Sequence, residues 1–104
     1  MTDETAAMVE FLRARYAEGI AHAREFGNLF VTNAEESFGV SREQAERQTR
    51  ASLHAAELRS RLLEETVAPY LGTGGPTGRI VEQQLRLLAW EHVGHADFDE
   101  RWAP

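Results

Sequence analysis

"SREQAERQTRASLHAAELRSRLLEETV", residues 41 to 67, holds one period longer than any other stretch of the chain. Ala45, Thr49, Ser52, Ala56, Leu63 and Val67 recur at helical spacing and mark the buried stripe of one long helix. "SREQ" has the spacing of a capping box, with Ser41 as N-cap and Gln44 three positions on. Glu43–Arg47, Glu46–Arg50 and Glu57–Arg61 are four apart in the favourable order, each pair worth roughly 0.2–0.5 kcal/mol. Pro69 ends the segment. The first half of the stripe is small residues. Such a face admits another backbone closely but buries little area, so it depends on large partners from elsewhere. Arg59 falls inside the stripe, and its stem is expected to pack while its head reaches water or a carboxylate.

Upstream, residues 4 to 26 predict a helix on Met8, Leu12, Tyr16, Ala23 and Phe26, widened by Val9 and Ile20. Asp3 and Glu4 stand where the helix dipole favours negative charge. Gly27-Asn28 reads as its stop. Residues 28 to 40, "NLFVTNAEESFGV", break the period. They read as a connector whose Leu29, Phe30, Val31 and Phe38 plug the core, or as a strand paired across a homodimer. The aromatics of the first helix and this connector are the obvious large partners for the small-residue stripe.

Downstream, "GTGGPTG", residues 72 to 78, is a flexible loop. It follows a helix and lacks the Gly-Lys-Ser/Thr of a phosphate loop. Residues 78 to 92 predict a third helix with Val81, Leu85, Leu88 and His92 in one stripe. Ile80 and Leu87 extend the stripe to one side, and Trp90 lies at the edge of a polar wedge of Glu82, Gln83 and Arg86. More than half of that circumference is apolar, which suits a central helix or one covered in an oligomer. The reading is therefore all-α: an antiparallel three-helix bundle in a single domain, residues 1–104, with an irregular connector and a packed C-terminal tail.

Size and composition narrow the function. A chain of 104 residues makes one domain with one core. It has no cysteine, so disulfides and thiolate metal sites are out. All eleven basic residues are Arg, which removes lysine chemistry such as a Schiff base. The net charge of -6 argues against direct nucleic-acid binding. The acidic start has no apolar signal region and no run is long enough for a membrane span, so a cytoplasmic location is expected.

The tail, "WEHVGHADFDERWAP", residues 90 to 104, carries the one ligand-like cluster: His92, His95 and Asp97. Zinc needs further ligands at suitable spacing, and Gly94 interrupts the helix that would align the two histidines. Packing and local hydrogen bonding is the preferred reading, with Phe98 and Trp102 folding back over the small-residue face as a clasp. No serine sits in a nucleophile elbow and no enzyme signature appears. No cofactor is expected.

Three parts of the chain resemble a family of uncharacterised actinobacterial and actinophage proteins, classed as a domain of unknown function. These are "VEFLRARYAE" near the start, the middle helix "LHAAELRSRLLEE" and the ending "LRLLAWEHVGHADFDERWAP". Ala96 and Phe98 stand where the family often has Pro and Tyr, and residues 28–40 are shorter than its corresponding segment. The resemblance implies an actinobacterial or bacteriophage source and a tail that belongs to the domain. It carries no activity. The expected function is a small helical protein-interaction module, a homodimer, with Ile80, Leu87, Trp90, Phe98 and Trp102 as interface candidates. The alternatives are a metal-dependent site or enzyme around His92, His95 and Asp97, and an acidic mimic of nucleic acid.

Overall fold

The first helix does not stop at Gly27-Asn28. In the computed structural model, which describes residues 2–104, α1 runs unbroken over Asp3–Thr32. Its start is capped by Thr2, whose Oγ1 accepts from the Thr5 N–H at 3.1 Å. Gly27 lies inside the helix and is buried, and a Cβ there would run into the Thr49 methyl. It is a point of close helix approach rather than a C-cap. The apolar run 29–32 is therefore helical, a continuation of α1 despite its β-branched residues. The connector shrinks to Asn33, then α2 (Ala34–Phe38), which ends at Gly39 in the left-handed region, φ 65°. No strand occurs among the described residues.

The next helix, α3 (Arg42–Arg61), begins as its sequence requires: the Gln44 N–H donates to Ser41 Oγ at 3.1 Å. Its exposed face carries Arg47–Glu43 and Arg42–Glu46 pairs at 3.5 and 3.4 Å. The helix then changes pitch. Leu62–Val67 is π-helical, closed by the Ala68 N–H on the Leu63 carbonyl, and Ala68–Tyr70 tightens to a 3₁₀ turn at Pro69. After the glycine loop, α4 (Gly75–Trp90) starts with Pro76 in its first turn. Gly72 and Gly75 take positive φ, and a Cβ on Gly78 would collide with the Thr73 carbonyl oxygen. A final 3₁₀ turn, Glu100–Trp102, is capped by Asp99, whose Oδ1 accepts from the Arg101 N–H.

The chain is thus all-α, with three main helices, α1, α3 and α4. It divides into two units. The first comprises residues 2–15 and 60–104. Its core is Met8, Val9, Phe11 and Leu12 from α1, Leu63 and Val67 from the π-helical stretch, Val81, Leu85 and Ala89 from α4, and Trp102. Met8, Leu12, Leu63 and Leu85 are fully enclosed. The second, residues 16–59, is a helical hairpin of the C-terminal half of α1 against α3, joined through α2. Tyr16, Gly27, Ala34 and Ala45 are its buried residues. Ser52, expected in the buried stripe, is exposed, and Phe26 is 51% exposed.

Candidate interaction surfaces

In the first unit the tail closes on Phe11. That ring lies 5.2 Å from Trp102, 5.6 Å from His95, 6.0 Å from His92 and 6.2 Å from Phe98, centroid to centroid. Phe98 and Trp102 meet edge to face at 5.7 Å. Tilted and edge-on rings at these separations add attraction beyond area burial. The clasp forms, but on the first helix rather than over the small-residue face of α3. Arg86 fixes it from α4: its guanidinium bonds the Arg101 carbonyl at 3.2 Å and Glu4 at 3.1 Å. Trp102 is only 6% exposed, so among the five interface candidates it belongs to the clasp. Phe98 is half-buried beside it.

The ligand-like cluster is used differently from a metal site. His95 Nδ1 lies 3.0 Å from the Asp97 N–H and 3.0 Å from an Arg15 guanidinium nitrogen. Both neighbours are donors, so Nδ1 accepts and the ring proton sits on Nε2. Arg15 also stacks over Phe11, 5.3 Å from its centroid. The Asp97 contact to His95 is through its backbone, not its carboxylate. Among the described residues, no three His, Asp or Glu side chains are grouped to hold an ion.

Charges in this unit are held in local pairs. Arg13 Nε and Nη2 donate to the two Glu64 oxygens at 2.6 and 3.1 Å, and Nη1 reaches Glu10 at 2.8 Å. The Arg13 hydrogen bond holds the Glu64 carboxyl below the usual carboxylate range, and the same bond raises the Arg13 guanidinium. Hydrogen bonds from the Arg101 side chain and backbone bring Asp99 down to about 2.

What remains on this unit is an uncovered strip along α4. Ile80, Leu87 and Trp90 are 57%, 48% and 51% exposed, and Val93 beyond the helix is equally open. Ile80 and Leu87 are two turns apart and Trp90 one turn further, so they share a face. The polar wedge is not what faces water alone. Arg86, assigned to it from sequence, turns inward to the clasp.

The second unit carries a different surface. Between α1 and α3 lies an open groove of about 680 Å³. Gly19, Ala23, Ser52 and Ala56 form its small-residue walls, with Phe26 and Phe30 at one end and Arg59 at the other. The aromatics did supply themselves to the small stripe, as its composition required, but without filling it. Phe26, Phe30 and Phe38 instead cluster with each other, at 5.8, 6.3 and 5.1 Å. Phe26, Leu29, Phe38 and Leu58 all remain substantially exposed. This groove was missed in the sequence. Its signal was present: a stripe of small residues calls for an opposing surface, and a hairpin has none to give.

No family model, curated protein or solved structure matches the chain. No helix among the described residues is long and apolar enough to cross a membrane.

Proposed function

We propose that this chain is a small helical protein-interaction module that works as a homodimer in the cytoplasm, without enzymatic activity of its own. One observation carries the reading. Large apolar side chains stay 46–57% exposed in two grouped sets, Ile80, Leu87 and Trp90 on α4 and Phe26, Leu29 and Phe38 on the hairpin. Monomeric proteins rarely leave grouped apolar surface open, and a partner chain removes it from water. The resemblance to actinobacterial and phage proteins fits an accessory protein of a phage or mobile element.

The competing readings have less support. A metal-dependent site would need several converging ligands, and among the described residues no three His, Asp or Glu side chains converge around His95. A nucleic-acid mimic needs a face of one sign, whereas acids and arginines interleave in ion pairs along α3. Sedimentation equilibrium tests the proposal. A mass twice 11.7 kDa at micromolar concentration is expected. A strict monomer that also binds no apolar dye would remove its basis.

A further inference from the structure

We infer that the hairpin groove, not the α4 strip, is where a second copy of this chain docks, and that the two copies lie antiparallel across it. The inference rests on the homodimer reading and names its surface.

The size fits. A helix of 20 residues is about 30 Å long, and two side by side are about 20 Å wide. The hairpin face therefore offers on the order of 600 Å² before side-chain relief is counted, close to the roughly 800 Å² per partner of a stable interface. The α4 strip is one helix wide and offers about half as much.

The shape is self-complementary. One end of the face rises as the Phe26–Phe30–Phe38 cluster. The other end is low, walled by Gly19 and Ala56 and bounded by Arg59. A two-fold axis crossing both helices at mid-groove sets the raised end of each copy into the low end of the other. Every contact then occurs twice, as an isologous interface demands. A parallel arrangement would set phenylalanines on phenylalanines and leave the low ends empty.

The charges agree with the same arrangement. Among the described residues no carboxylate lines the groove, so an acidic chain meets its own copy there without acid facing acid. The one guanidinium lining it, Arg59, comes over the partner's aromatic cluster, where a ring face attracts a cation.

The axis makes a sharp test, helped by a chain without cysteine. Ser52 is exposed, lines the middle of the groove and faces its own copy across the axis. Arg59 and its copy fall at opposite ends. Under mild oxidation Ser52→Cys is expected to give a disulfide-linked dimer on a non-reducing gel, and Arg59→Cys to stay a single chain. Ser52→Glu, with its helical circular dichroism intact, is expected to weaken self-association at least tenfold in sedimentation, while Leu87→Glu leaves it unchanged. A dimer that Leu87→Glu dissociates and Ser52→Cys does not crosslink overturns the groove assignment but keeps the interaction module. Crosslinking of Arg59→Cys with none at Ser52 overturns the antiparallel arrangement. A wild-type monomer at about 200 micromolar, well above the micromolar range in which the dimer is expected, overturns the groove and the homodimer together.

Discussion

The two units are built from the same kind of helix and differ in what those helices enclose. In residues 2–15 with 60–104, three elements and a returning tail surround Leu12, Leu63 and Leu85, which lose all contact with water. In residues 16–59, two helices touch along a seam of small residues, Gly27 against Thr49, and the large side chains are left outside the seam. Two cylinders share only a line, whereas a third closes a volume. The lesson is that three phenylalanines in a hairpin do not make a core. Aromatic content measures what a segment is able to bury, and the number of surrounding elements decides whether it does so.

The sharpest way to break this comparison is to empty the enclosed side. Phe11→Ala removes the ring that touches Trp102, Phe98, His92 and His95, and is expected to cost about 3–5 kcal/mol in urea unfolding. A loss no larger than that of a surface substitution would deny Phe11 its place at the centre. Trp102→Ala should follow at about 3 kcal/mol. An unchanged melting temperature would mean that the tail closes nothing.

The hairpin seam should answer more gently. Gly27→Ala presses its new methyl on Thr49 and is expected to cost about 1–3 kcal/mol. Adding Thr49→Ala to the same chain should recover most of it, because the obstacle is the end of a single side chain. No recovery in the double variant would place the strain elsewhere. In hydrogen exchange, amides of α3 before Ser60 should exchange faster than those of α4, and slow as protein concentration rises. Equal, concentration-independent protection would erase the distinction between the units.

The smallest effect concerns charge. Glu64 is held below its ordinary value by the Arg13 hydrogen bond, so the pair contributes fully above the ordinary carboxylate range. That contribution is lost as pH falls through the lowered folded value. Both side chains are about half exposed, so Glu64→Gln should cost only a few tenths of a kcal/mol at neutral pH. It should also flatten the acid limb of the stability curve below the ordinary carboxylate range, where the lowered Glu64 titrates. An identical acid limb in the variant would show the pair to be inert.

Helix number, the Ser41 cap and the closing tail were legible because each leaves a local mark: a period, a spacing, an aromatic pair. Gly27 was misleading, since a glycine after an apolar stripe marks a helix end far more often than a crossing point, and only Thr49, 22 positions away, distinguishes the two. Phe11 lies outside the period that runs through Met8, Leu12 and Tyr16, and its importance comes from residues 92 to 102. The π-helical turn at Leu62–Val67 leaves no trace in a 3.6-residue pattern, since Leu63 and Val67 remain four apart. Of the interface candidates, Ile80, Leu87 and Trp90 were found as apolar residues beyond what one buried stripe needs. The groove was not found, because it is defined by what two helices leave uncovered.

The placement of the two tryptophans has an optical consequence. Trp102 is sealed and Trp90 is half open to water, and both belong to the unit of residues 2–15 and 60–104. Tryptophan fluorescence therefore contains one emitter shielded from a soluble quencher and one within its reach. Residues 16–59 hold no indole at all. A melt followed by tryptophan emission, excited beyond the absorption of Tyr16 and Tyr70, follows the enclosed unit alone, and far-ultraviolet dichroism follows every helix. The gap between the two curves is a label-free record of the hairpin, written by the chain itself.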